Sequence, residues 1–199
     1  MINNVFIKNY KAIPVNKKEI LRYLKAKKEE GFEELLNECI KEAESALKYR
    51  VCYIETDVKK EKNICDFDVL NFSSKDLAKC LENSKKAIIF AATIGVEIDR
   101  LILKNMSISP TKAVIFDAIG SERIEALCDT FCNEIKAEKN AETTPRFSAG
   151  YGDLALQNQE DIFNILNCSK NIGLTLNDSL IMSPNKSVTA IFGIEEGIL

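Results

Sequence analysis

Ala87-Ile88-Ile89-Phe90-Ala91-Ala92-Thr93-Ile94 is the longest apolar run of the chain, and Gly95 closes it. The run is strand-sized, far below the ~20 residues of a membrane-spanning helix, and it predicts a buried strand over residues 85–93. Only a single glycine follows it. A doubly wound nucleotide-binding sheet carries a Gly-rich turn after its first strand, so this position argues against one. Upstream, Ser74 predicts a cap for a short helix to about residue 82. Residues 63–72 predict a strand or strand pair around Asp66-Phe67-Asp68, and Val51, Tyr53 and Thr56 mark another β segment. Asn16 predicts the cap of a helix over residues 17–28, Gly31 interrupts, and a second helix is expected over 32–48. There Leu35, Leu36, Cys39, Ile40, Ala43 and Leu47 form one apolar face.

Downstream, Gly95 opens a helix to about residue 105, and Pro110 opens the longest one, over 110–139. Along it Ala113, Phe116, Gly120, Ile124, Leu127, Phe131 and Ile135 repeat at helical spacing. Gly120 and Ser121 in its interior predict a close approach by another element, because glycine there costs ~1 kcal/mol relative to alanine. A helix over 158–166 and strands over 179–182 and 187–193 complete the pattern. Short strands interspersed with helices, without regular βαβ alternation, give an α+β class. A single domain over residues 1–199 is expected, with a helical N-terminal part over about 1–50.

A chain of 199 residues is long enough to bury ~70% of its unfolded surface in one core. A net charge of −3 argues against a protein that tracks nucleic-acid phosphates. The lysines at 17, 18, 25, 27 and 28 stand among Glu19, Glu29 and Glu30, the pattern of a solvated helix face. The first residues begin no signal peptide, so a cytoplasmic location is expected, with no membrane partner. The seven cysteines form no Cys-x-x-Cys pair; Cys128 and Cys132 lie one helical turn apart on an apolar stripe, as buried, reduced thiols would. The absence of histidine excludes Ser-His-Asp and Cys-His catalysis and any histidine metal site. No catalytic side chain and no metal ligand set is expected.

The chemistry concentrates in Arg146-Phe147-Ser148-Ala149-Gly150-Tyr151, followed by Gly152-Asp153-Leu154-Ala155-Leu156-Gln157. Arginine grips a carboxylate with two parallel hydrogen bonds, glycine lets backbone approach a ligand or turn with positive φ, and tyrosine offers a flat face to an adenine or a cation. The hexapeptide suits a small zwitterionic ligand. It also suits an ordinary strand-to-helix connection with a surface arginine.

The segment resembles the S-adenosylmethionine-binding loop, Arg-x-x-x-Gly-Tyr, of the activation domain of cobalamin-dependent methionine synthase. Some thirty residues on, Leu180-Ile181-Met182-Ser183-Pro184-Asn185-Lys186-Ser187-Val188-Thr189-Ala190 resembles the Met-x-Pro-x-x-Ser-Val strand pair of that family. Between the two, residues 159–168 and Ile172-Gly173-Leu174-Thr175-Leu176 are similar to its helix and Ile-Gly-x-x-Leu turn. Ala91-Ala92-Thr93-Ile94-Gly95, with Glu97, Ile98 and Asp99, resembles a segment of its small free-standing members. The likeness covers about residues 85–194 in ordered pieces. It implies an antiparallel sheet packed with long helices.

The resemblance also implies a role: reductive reactivation of methionine synthase, with S-adenosylmethionine as methyl donor. Cobalamin would arrive on a partner chain, either the cobalamin-binding module of methionine synthase or another corrinoid protein. The electron would come from an external donor such as a flavodoxin or ferredoxin. The chain would then be a reactivation component rather than a complete enzyme. Within this reading Arg146 meets the ligand carboxylate, Tyr151 stacks on the adenosyl part or faces the sulfonium, and backbone at Ala149 and Gly150 reads the adenine edge. Asp153 and Glu125 are candidates for the ligand ammonium, and residues 183–187 for a pocket wall or docking face.

The sequence departs from the family pattern in three places. The fused domains continue past their last strand with a His-Pro and tyrosine segment that has no counterpart here. Their acidic ligand residue aligns with nothing in residues 1–60, and Thr189-Ala190 stands where they have a small residue and glycine. Two other readings remain: an adaptor of corrinoid methyltransferases that does not bind S-adenosylmethionine, and a self-contained small-molecule methyltransferase.

Overall fold

The computed structural model describes residues 4–25 and 32–195. The expected apolar strand is the central strand of the main sheet. This sheet has the order β1-β2-β6-β10-β7 and is antiparallel throughout. Its strands are β1 Phe6–Tyr10, β2 Tyr49–Asp57, β6 Lys86–Thr93, β7 Glu142–Thr143 and β10 Ser187–Glu195. Phe90 of β6 stands opposite Tyr53 on one side and Ala190 on the other. The remaining strands form small antiparallel units: β3 Lys59–Glu61, β4 Ile64–Asp66 and β5 Asn71–Ser73 in one, β8 Thr175–Leu176 and β9 Met182–Ser183 in the other.

Side-chain alternation sends the strand residues into two apolar layers. Val51, Tyr53, Ile88, Phe90, Ala92 and Phe192 pack with one set of helices: α1 Lys17–Leu24, α2 Phe32–Glu44, α4 Glu97–Ile108 and α5 Pro110–Lys139. Cys52, Ile54, Ala87, Ile89, Ala91 and Ile191 face the opposite layer. That layer is built on α3 Lys75–Cys80, α6 Asn158–Leu166 and α7 Cys168–Ile172, together with Phe67 and Phe72. A strand covered on both faces has no polar side to show, which is why β6 reads as a continuous apolar run rather than an alternation.

The longest helix has the bounds its sequence signals gave. Pro110 occupies the first turn, where its missing N–H removes no helical bond, and Asn140 closes the helix in the left-handed region at φ 49°. Gly120 explains itself by distance. A Cβ there would lie 2.9 Å from Lys186 Cγ and 3.0 Å from Ile98 Cγ1. The Lys186 ammonium then reaches Asp117 Oδ1 at 2.8 Å and Ser121 Oγ at 2.9 Å, fastening the turn before β10 to α5.

Several expectations are corrected. The part over about 1–50 is not purely helical, because Phe6–Tyr10 forms an edge strand on β2. Its Lys8 leaves the sheet edge to pair with Glu134 at 3.0 Å and Glu138 at 2.7 Å on α5, a contact that local periodicity cannot announce. The first helix keeps its Asn16 cap but ends at Leu24, with Lys25 left-handed at φ 50°. The rest of its expected span, with Gly31, lies outside the described residues. The second helix stops at Glu44, since Tyr49 already belongs to β2. The short helix α7 and the strands β7 and β8 carried no sequence signal long enough to read.

Ser84 has the one buried side-chain oxygen among the described residues without a hydrogen-bond partner. Gly193 faces it so closely that a Cβ there would fall 2.0 Å from Ser84 Oγ. A desolvated hydroxyl without a partner is a cost, so Ser84→Ala is expected to stabilise the protein by about 1 kcal/mol. A urea midpoint raised at unchanged m-value is the measurement that checks it.

Candidate functional site

The Arg146 loop is positioned by the sheet. Phe147 exchanges two backbone hydrogen bonds with Ile191 of β10, at 2.8 Å each, which makes the segment a one-residue extension of the sheet. Extended backbone alternates its side chains, so Phe147 packs into the core layer while Arg146 and Ser148 turn to the other side. The chain then reverses. Gly150 takes φ +87°, a conformation that a side chain would strain, and its N–H donates to Leu154 O at 2.9 Å. The reversal brings Tyr151 back over the same side, with its ring largely in solvent.

The result is an open cleft of about 360 Å³ lined by Glu125, Arg146, Ser148, Ala149, Tyr151, Gln159, Met182, Ser187, Val188 and Thr189. A volume of this size falls in the ~300–1,000 Å³ range of small-molecule sites. Four of the expected site residues meet here: Arg146, Ala149 and Tyr151 from the loop, and Glu125 from α5. Gly150 shapes the turn without lining the cleft.

Arg146 is held by two carboxylates of α5. Its Nη2 donates to Glu125 Oε2 at 2.7 Å and its Nη1 to Asp129 Oδ1 at 2.6 Å. Burial opposes the guanidinium charge, but the Asp129 and Glu125 carboxylates outweigh it and hold the group protonated well above its ordinary range. Beneath it, burial raises the Cys128 thiol, and it pushes the Cys132 thiol up to about 11. Both are therefore neutral thiols at pH 7, packing atoms rather than nucleophiles.

Asp153, the other candidate for a ligand ammonium, does not line this cleft. Its carboxylate accepts from the Ser74 hydroxyl, from Lys75 N at 2.8 Å and from Asp76 N at 3.2 Å, capping α3 from across the loop. These hydrogen bonds, with that from Ser74 foremost, hold its pKa below the usual aspartate value. A helix N-terminus presents orphan N–H groups, and a carboxylate there is engaged before any ligand arrives.

Gln159, Met182 and Thr189 line the cleft without having been named from the sequence as ligand contacts. Gln159 carried a readable signal. It belongs to the buried stripe of α6 with Ile162, Phe163 and Leu166, where a polar side chain is out of place unless it has a partner. It donates to Leu180 O at 3.2 Å and fixes the segment before β9 against the helix. Of the expected 183–187 wall, Ser187 lines the cleft and donates to Pro184 O at 2.8 Å.

A second cleft, of about 440 Å³, adjoins on the far side of Glu125. It is lined by Ile13, Pro14 and Asn16, and on α5 by Glu122, Glu125 and Asp129. Glu125 thus borders both clefts, and Asp129 only the second.

Neither family models nor curated protein sequences give a match to this chain. Among solved structures it is similar to the MetH reactivation domain bound to AdoHcy. The TM-score is 0.71 at 13% identity, with 96% of this chain and 78% of that one covered. The fold is that of the activation domain, as the sequence motifs implied: an antiparallel sheet packed with helices. No helix among the described residues is long and apolar enough to cross a membrane.

Proposed function

We propose that the cleft at Arg146 binds S-adenosylmethionine and that the chain serves as a reactivation component for a cobalamin-dependent methyltransferase. The carrying observation is that Arg146 and Tyr151, the two ends of the Arg-x-x-x-Gly-Tyr motif, line one cleft of small-molecule size, in the fold of a domain solved with AdoHcy. The corrinoid partner in this reading is the cobalamin module of methionine synthase or a related corrinoid protein. The electron donor is a flavodoxin or ferredoxin, and the setting is the cytoplasm.

The residues present fit such a ligand. Arg146 offers a permanently charged fork for its carboxylate, and Glu125 a carboxylate on the cleft wall for its ammonium. Tyr151 presents an exposed ring to the adenosyl group or to the sulfonium, the latter contributing roughly 0.5–2 kcal/mol. In this reading backbone at Ala149, on the cleft wall, reads the adenine edge, and Gly150 holds the turn that presents it. The ligand, when bound, supplies an activated methyl group to a cobalt centre that is itself a strong nucleophile. What this chain does is hold and aim; positioning replaces acid–base groups, in keeping with a chain that has no histidine.

Calorimetric titration of S-adenosylmethionine into the wild-type chain and Arg146→Ala tests the reading. A charge-assisted contact contributes roughly 1.5–3 kcal/mol, so the substitution is expected to weaken binding about ten- to a hundredfold. Unchanged affinity in Arg146→Ala overturns the site. The paired state of Arg146 favours a second reading, an adaptor whose arginine has become structural. Association with a cobalamin module without any S-adenosylmethionine binding is the result that selects it.

A further inference from the structure

Glu125 and Asp129 stand one helical turn apart on α5 and grip the same guanidinium from two sides. Two carboxylates sharing one arginine leave a formal charge of −1, so Arg146 is not a vacant anion site. A ligand carboxylate arriving there would be the third anion on one cation, so it competes with the two residents for the guanidinium. The geometry distinguishes them. Glu125 lines the Arg146 cleft and stays useful to an incoming ammonium without moving away. Asp129 lines only the neighbouring cleft, and from there it holds Nη1. Its side chain is 65% exposed, so water receives its carboxylate at little cost when the bond breaks.

We infer that Asp129 is a latch that competes with the ligand carboxylate for Arg146, so that it sets the affinity of the site for carboxylate-bearing ligands while leaving ligands without that group unaffected. This rests on the proposed assignment of Arg146 as carboxylate receptor. Asp129 is a positioning residue: it acts through the guanidinium and touches no ligand. Its competition lowers affinity for S-adenosylmethionine, keeping the occupied state exchangeable for a component that must release its product after each methyl transfer.

The test uses two probes, S-adenosylmethionine and its decarboxylated analogue, titrated into the full chain as wild type, Asp129→Asn, Arg146→Ala and the double variant. A partly exposed ion pair is worth little, so Asp129→Asn is expected to tighten S-adenosylmethionine by about two- to fivefold. Affinity for the decarboxylated analogue should stay level or fall, since a nearby negative charge has been removed from a cationic ligand. The gain should vanish in the Arg146→Ala background, an outcome that a general change of surface charge would not produce. If the wild type binds S-adenosylmethionine but Asp129→Asn gives no rise in preference over the analogue, the latch is overturned and the proposed function stands. A gain that persists without Arg146 overturns it equally. If the wild type binds neither probe, the assignment of the site falls and the latch with it.

Discussion

Arg123→Met is expected to destabilise the protein by about 3–5 kcal/mol, the cost of breaking a buried ion pair from one side. Arg123 is fully buried on α5, and every direction of its guanidinium is used. Nε and Nη2 each reach a Glu122 oxygen at 2.6 Å, while Nη1 donates to Ile13 O at 2.8 Å and Nη2 to Pro14 O at 2.7 Å. Glu122, itself buried, accepts from Asn16 N at 3.0 Å. Removing the cation strands a carboxylate and two carbonyls in the core and loosens residues 13–16, which line the second cleft and cap α1. Urea denaturation checks the value, and a loss below about 1 kcal/mol would mean that the stranded groups find other partners. Glu122→Gln combined with Arg123→Met should recover part of the loss, because no charge is then left behind.

Phe131→Ala is the second large effect, at about 3–5 kcal/mol from lost transfer energy and the cavity left behind. The Phe131 ring joins α5 to three strands. Its centroid lies 5.0 Å from that of Tyr53 on β2, 5.1 Å from Phe90 on β6 and 6.2 Å from Phe192 on β10. These rings meet tilted or edge-on, the arrangement their quadrupoles favour, and none is in a position to close over the vacated space without dragging a strand. Thermal unfolding followed by circular dichroism checks the value, and a loss below about 1 kcal/mol would mean the layer repacks. Since the same helix carries Glu125 and Asp129, the variant should, under the proposed function, also weaken S-adenosylmethionine binding by disturbing the register of α5 against the Arg146 loop.

The two effects lie on one helix that was legible from the sequence. Proline at its start and helical apolar spacing along it are local signals, acting within one or two turns, and the expected span 110–139 matches α5. The strand β6 was legible for the same reason, through length and composition. The strand Phe6–Tyr10 was not, because its five residues show no alternation and it is held by hydrogen bonds to β2 and ion pairs to α5, neither of which is written in its own sequence. The strand order, with β6 and β10 adjacent although nearly a hundred residues separate their paired ends, was equally out of reach of periodicity.

In the candidate site the same division holds. The loop chemistry at Arg146, Gly150 and Tyr151 was determined by residue type, since only glycine sits easily at φ +87° and only a guanidinium offers a planar, permanently charged fork. Which acid serves the cleft was decided by tertiary structure alone. Asp153 and Glu125 were alike as sequence, two carboxylates in reach of the motif. Folding turned Asp153 onto the N–H groups of α3, some 78 residues away, and placed Glu125 on the cleft wall against Arg146. A carboxylate's role follows from the donors that the fold brings to it, and here those donors stand 78 residues away for Asp153 and 21 for Glu125.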